Sequence, residues 1–432
     1  MTSPLMHPRK NPVVRRVFAL LPFAAQLRAL AIFLAVAACS IALLPRTSSA
    51  QTNIYWDTST NSGIGGSGTW SSGGVFWATN PLGAAVSSGG PTGNALFNVT
   101  NAANGVSSLA SGNYAMNFGG TAGTVTINST YQMWGINILT NGYVFTLNNS
   151  SARTFTLTNS LALASNSVTF SNGAAGLNSL TLGGPASSGW TGGITASNGS
   201  AGITIVNNNA TNFGFYIGSG GSVSSNAPIN IVTAAGSRVM LGSQSSGGAS
   251  FNSAITNNSA GGSPLELTNS SSGTVAFNGI ISGSNGLVLN QSGSGAIALN
   301  AANTYTGGTT VNAAGSGEIR FSNNSAFGTN TITIAGAGTN YIRGSNNASL
   351  ANAVVINAGS VLKLGGASGG NTNTWSGNIS GAGGLNFGVS GDLFLTGTNN
   401  SFGGGVLNES SGTIYITKLG NAGANSSLGT NG

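Results

Sequence analysis

Cysteine, histidine and charge are what this chain has least of. Its 432 residues include one cysteine and one histidine, Cys39 and His7, and both fall in the first fifty positions. From residue 51 onward there is no disulfide, no Cys/His zinc site, no haem held by histidine and no Ser-His or Cys-His nucleophile pair. No cofactor is expected. Charged residues make up 4% of the chain, against about a quarter in ordinary globular domains. The formal charge of +7 belongs to the beginning of the chain, where Arg9, Lys10, Arg15, Arg16, Arg28 and Arg46 stand without an acid. Beyond residue 50 the basic residues Arg153, Arg238, Arg320, Arg343, Lys363 and Lys418 are scattered singly among Asp57, Glu266, Glu318, Asp392 and Glu409. Nucleic-acid binding needs a clustered basic face that releases counterions, so that class is excluded. Helical periodicity of useful length is also missing after the first fifty residues.

What the chain has instead is glycine, 70 residues of it, and 40% apolar residues placed in alternation. From residue 124 short apolar-polar-apolar triplets arrive every ten residues or so, such as Val125-Thr126-Ile127, Leu180-Thr181-Leu182, Ile203-Thr204-Ile205 and Ile229-Asn230-Ile231. Each sends its outer residues to one face and its middle residue to the other. Asparagine often follows a strand, at Asn148, Asn159, Asn290, Asn312 and Asn357. There it is expected to turn the chain through a left-handed backbone, or to stack in hydrogen-bonded rows.

The stretch 277–321 carries this pattern most clearly, and it returns further on. Phe277-Asn278-Gly279-Ile280-Ile281-Ser282-Gly283 matches Trp375-Ser376-Gly377-Asn378-Ile379-Ser380-Gly381, and Ser294 to Leu299 matches Ser390 to Leu395 two residues out of step. Fainter copies begin at Trp190 and Phe251. Short strands repeating with a period in the twenties suit the stacked coils of a solenoid, in which each coil buries its apolar face only against its neighbours. At about 22 residues per coil and about 4.8 Å per rung, residues 51–432 are expected to form a rod on the order of 80 Å long.

The stretch Asn303-Thr304-Tyr305-Thr306-Gly307-Gly308-Thr309-Thr310-Val311 resembles the autotransporter-associated β-strand repeat of large bacterial surface and secreted proteins. A degenerate second copy reads Asn400-Ser401-Phe402-Gly403-Gly404-Gly405. Trp56-Asp57 with Gly66-Ser67-Gly68-Thr69-Trp70 is similar to the tryptophan-rich opening of such proteins. The resemblance covers about 275–432 and a short piece at 55–77. It implies an all-β, right-handed parallel β-helix passenger, and it implies no chemistry. The repeat positions singled out are Asn303, Tyr305, Gly307, Gly308, Asn400, Phe402, Gly404 and Gly405.

Residues 1–50 read as a signal peptide: a basic segment through Arg16, an apolar run from about Leu30 to Leu44, and small residues Ser48-Ser49-Ala50 before Gln51. Cleavage is expected between Ala50 and Gln51. Two other readings of the leader are a twin-arginine signal at Arg15-Arg16-Val17-Phe18 and a lipoprotein box ending at Cys39. Residues 51–120, with Trp56, Trp70 and Trp77, are expected to cap the first coils, and 121–432 to form the solenoid repeats. No transmembrane helix is expected after signal removal. The chain stops where Ser427 to Gly432 parallels a turn that leads into a strand in the earlier copy. An outer-membrane anchor or barrel is expected to be absent from this chain, which reads as truncated.

Catalysis would need paired acids, or a carboxylate-bound calcium with a basic partner. The acids are far apart in sequence, and the one constellation on offer is Asp392 with Glu409, joined by Lys418. Thr-x-Thr steps such as Thr331-Ile332-Thr333 suit any outward β face. The reading is therefore an exported structural or adhesive β-helix at the cell surface or in the medium, with no catalytic activity. Its partner is expected to be a surface ligand, either a polysaccharide or neighbouring cells. The alternative is a β-helix that binds or cleaves polysaccharide.

Overall fold

A computed structural model describes residues 52–56, 65–70, 77–78, 86–87, 90–91, 114–127, 131–147, 154–164, 168–172, 179–182, 194–196, 203–207, 212–217, 223–243, 246–313, 316–345, 347–366, 372–388, 391–419 and 424–430. All of them belong to the unit Gln51–Gly432. Residues 1–50, expected from the sequence to be a signal peptide, lie outside the described residues together with Gln51, as do the side chains of Trp70 and Trp77.

The described residues form a parallel β-solenoid without helices. The strands stack in three columns. The first column stacks Val239–Ser243, Leu265–Asn269, Leu287–Gln291, Thr309–Asn312, Ile332–Ile334, Val354–Ile356 and Ile379–Gly381 in parallel. The second stacks Ala249–Phe251, Thr274–Phe277, Ala296–Leu299, Glu318–Phe321, Gly338–Gly344, Ser360–Gly365, Gly384–Phe387 and Val406–Asn408. The third holds Val168–Asn172, Ile203–Asn207, Ile229–Thr233, Ile255–Asn257 and Ile281–Gly283. It resumes higher up as Ser349–Leu350, Thr372–Trp375, Asp392–Leu395 and Ile414–Ile416. Between strands, antiparallel pairing among the described residues is confined to Trp77–Ala78 on Thr52–Trp56 and to Val86–Ser87 with Gly90–Pro91.

Alternation decides which side chains go inside. In Ile203–Asn207 and Ile229–Thr233 every second residue is buried, and the register places Ile203, Ile229, Ile255 and Ile281 over one another. The result is one continuous apolar core, to which each fully buried Ile, Leu or Phe contributes about 1.5–3 kcal/mol. Phe251 and Phe277 stack face to face at 4.8 Å and 4°. At the other end Trp56 is buried, stacks on Phe118 at 5.9 Å and donates Nε1–H to the Gly66 carbonyl.

The coil is not of one length. Register partners Ile203, Ile229, Ile255 and Ile281 are 26 residues apart, whereas Leu265, Leu287 and Thr309 are 22 apart. The difference lies in the turn from third to first column. Residues 258–264, with Gly261 and Gly262 at φ +62° and +75°, give way to 284–286.

Asparagine does not turn the chain in the way expected. Among the described residues Asn347 is the non-glycine with positive φ, at 56°, and the left-handed positions otherwise belong to glycine. Of the asparagines singled out, Asn290 and Asn312 lie within strands, where Asn290 donates to Glu266 at 3.0 Å, and Asn148 lies outside the described residues. The stacked rows do form, from other asparagines.

Candidate functional site

The two copies of the repeat motif build the same turn. Asn303 accepts from the Ile281 amide at 2.8 Å in the coil below and donates to the Ala326 carbonyl at 2.6 Å in the coil above. Asn400 repeats this with Ile379 at 2.7 Å and Ser427 at 2.8 Å. Both amides are buried, so each ties three rungs together at a corner where no strand runs. Beside them Tyr305 and Phe402 point into the core. Gly328 and Gly429, at φ +65° and +81°, pass over the two rings in the coil above, where a Cβ would crowd ring and backbone. A Cβ on Gly307 or Gly404 would strike the backbone of Gly286 or Gly383 in the coil below.

The copies do not stand one above the other. Ile281–Gly283, which leads into the first, is in the third column, and Ile379–Gly381, which leads into the second, is in the first column. The repeat thus returns one column round, because its length is not a whole number of coils. Each copy leaves a shallow groove over its glycines. The groove at the first copy is about 520 Å³, walled by Arg238, Asn285, Thr310, Asn312 and Thr333. That at the second is about 490 Å³ and carries Val361, Val406 and Leu407 with Asn386.

Two rows of polar side chains run along the solenoid. Asn252 donates to Asn226 at 2.9 Å, Asn278 to Asn252 at 2.8 Å, Asn300 to Asn278 at 2.7 Å and Ser322 to Asn300 at 3.0 Å. Each follows an inward Phe or Leu of the second column and faces solvent, a hydrogen-bonded ladder of amides. The second row gathers the charges that look isolated in the sequence. Glu318 pairs with Arg320 on its own strand and with Arg343 at 3.6 Å one coil on. Lys363 pairs with Glu409 at 2.8 Å and lies 5.6 Å from the centre of the Tyr341 ring. Asn386 also donates to Glu409, at 3.1 Å. The hydrogen bond from Lys363, then that from Asn386, holds the Glu409 carboxyl below its ordinary pKa. Coil spacing explains the gathering: residues 22 or 23 apart land on adjacent rungs of one face.

Glu409 is thus engaged by Lys363 and Asn386, while Asp392 opens a third-column strand. Glu266 pairs with Arg238 at 3.6 Å and accepts from Asn290 at 3.0 Å. Among the described residues no group of three or more His, Cys, Asp or Glu stands together to hold a metal ion, and no helix is long and apolar enough to cross a membrane. The Lys363, Asn386 and Glu409 cluster is the site that sequence reasoning missed, although the constant step of 23 residues from Lys363 to Asn386 to Glu409 was there to find it.

No family model matches the chain. Over 156 residues, 35% of its length, it is 33% identical to the Adhesin BmaC autotransporter of Brucella suis biovar 1 (strain 1330). Those residues span 4% of that adhesin's length. No solved structure matches.

Proposed function

We propose that this chain, which by its stacked parallel coils and its similarity to an adhesin fits an autotransporter passenger-type protein, is an exported surface module that adheres and does not catalyse. The observation that carries the reading is the similarity to the adhesin, on a solenoid of the kind such passengers present. The exterior supports it. Outward positions bear Ser, Thr, Asn and Gly, the acids Glu266, Glu318 and Glu409 are held by basic neighbours, and the grooves are shallow. Contact by such a face sums many weak hydrogen bonds, so avidity depends on the number of copies engaged. The partner is a cell surface or its polysaccharide.

The test is adhesion of beads coated with the purified chain at graded density, to cells and to immobilised neutral and acidic glycans. Retention rising more steeply than coating density is the expected result. No retention at any density, or release of reducing sugar that Asp392→Ala or Glu409→Ala abolishes, overturns the reading, the latter in favour of polysaccharide cleavage.

A further inference from the structure

We propose that Lys363 and Asn386 form a spontaneous covalent cross-link, an amide between their side chains that joins two successive coils, with Glu409 as the proton shuttle. The two residues are register partners on adjacent parallel strands. Lys363 Nζ and Asn386 Nδ2 both donate to one oxygen, Glu409 Oε2, at 2.8 and 3.1 Å, so nucleophile, electrophile and carboxylate meet at one point. The lysine is held there from two sides. Its chain lies across Gly388, where a Cβ would collide with Cε, and the Tyr341 ring, itself laid over Gly365, faces the ammonium. Asn386 is 5% exposed, and its Oδ1 is buried without a hydrogen-bond partner. A chain with no cysteine after residue 39 has no disulfide with which to tie coil to coil. An amide link needs no thiol and no oxidant.

The step balances without a co-reactant. Lys363 passes one proton along its hydrogen bond to Glu409, and the neutral amine adds to Asn386 Cγ. A half-turn of the carboxamide sets Oδ1 against the new Glu409 hydroxyl, which supplies the donor that this oxygen lacks and stabilises the charge building on it. The Cγ–Nδ2 bond then breaks, and the departing nitrogen takes one proton from the amine and one from Glu409, leaving as ammonium and returning Glu409 to a carboxylate. The ordinary basicities of lysine and glutamate favour the ion pair, so the reactive form is scarce and the bond accumulates over the life of the protein. Fixed geometry is what makes the reaction accessible at all.

The experiment is intact mass and tryptic mapping of the purified full chain, held for days at neutral pH. The expected result is a species lighter by one ammonia that grows with time. It resists trypsin after Lys363 and yields a branched peptide joining Lys363 to Asn386. Lys363→Arg, which keeps the charge on Glu409, and Asn386→Ala abolish the species, and Glu409→Gln slows its growth at least tenfold, each variant keeping the β-type circular dichroism of the parent. An unchanged mass over that time overturns the proposal. So does an ammonia loss that survives Lys363→Arg, which would mark closure of Asn386 on its own backbone, and unslowed cross-linking in Glu409→Gln removes the shuttle.

Discussion

At the first copy of the repeat turn the buried ring is Tyr305, and its hydroxyl meets the Thr309 hydroxyl at 2.6 Å; at the second the ring is Phe402 and the matching position is Val406. The two polar groups are present together or absent together. A lone buried hydroxyl would carry the full cost of desolvation, whereas a pair, or neither, avoids it. The copies also differ in surroundings. Tyr305 lies in mid-solenoid, with Gly328 of the coil above close against its ring, while Val406 and Leu407, 36% and 53% exposed, lie on the outermost rungs described. The backbone device is therefore constant, the Asn bridge and the close-packed glycines, and the cargo of the core varies around it.

The largest effect should come from the bridge itself. Asn303→Ala leaves the Ile281 amide and the Ala326 carbonyl buried and unpaired, and should cost about 2–5 kcal/mol. Asn400→Ala removes equivalent bonds but acts beside the half-exposed Val406 and Leu407, so in a solenoid it should fray locally and cost less in the global transition. Urea unfolding followed by circular dichroism, with hydrogen exchange to place the loss, compares the two. Equal global losses would mean that the copies are energetically interchangeable and that position does not matter.

Next come the glycines. Gly404→Ala and Gly307→Ala drive a methyl into backbone of the coil below and should each cost about 1–3 kcal/mol by overpacking. Gly405 has nothing within 4 Å of its would-be Cβ, so Gly405→Ala should change thermal stability by no more than about 0.5 kcal/mol. A strong loss at Gly405 would show that the groove floor, and not only the coil contact, demands a bare backbone.

These contrasts bear on what the sequence discloses. Alternation is local, so triplets such as Ile203-Thr204-Ile205 announce strands and faces without knowledge of neighbours. Stacking in parallel follows from the repeat of Phe277 to Gly283 at Trp375 to Gly381. What one coil sets beside another depends on coil length, and that changes from 26 to 22 residues between Ile281 and Leu287 with no compositional signal beyond a shorter turn. For this reason Glu318, Arg343, Lys363 and Glu409 look solitary in the sequence and meet on one face in the structure. The ladder from Asn226 to Asn300 is likewise legible once 26 and then 22 is added to each position. Among the described residues asparagine takes the left-handed backbone at Asn347, and glycine is abundant enough to fill the other such positions, while Asn357 closes its turn by accepting from the Ser360 amide.

The tyrosine also gives the first copy an alkaline liability that the second lacks. Burial raises the Tyr305 hydroxyl well above the ordinary tyrosine pKa of 10.0, with the Thr309 bond pulling weakly the other way. The folded value exceeds the unfolded one, so its contribution is complete below pH about 10 and falls away as pH rises from there toward the folded value. Each pH unit in that window should remove about 1.4 kcal/mol. Phe402 has no proton to lose. Tyr305→Phe should therefore flatten the stability profile of the whole chain above pH about 10, measured as urea midpoints across alkaline pH. An unchanged slope would assign the liability elsewhere.

The smallest effect expected is also the strictest comparison. Tyr305→Phe alone leaves the Thr309 hydroxyl buried with a weaker bond to the Phe327 carbonyl at 3.3 Å, and should cost about 1 kcal/mol at neutral pH. Thr309→Val alone strands the tyrosine hydroxyl and should cost about 1–3 kcal/mol, since Thr309 is its partner. The double change writes the Phe402 and Val406 pair into the first copy. It removes both hydroxyls, keeps the shape nearly constant and should lie within about 1 kcal/mol of the parent, well short of the summed single losses. That non-additivity is the signature of a pair inherited as a unit. If the losses simply add, the hydroxyls act independently, and the matched absence of both at the second copy is unrelated to their contact at the first.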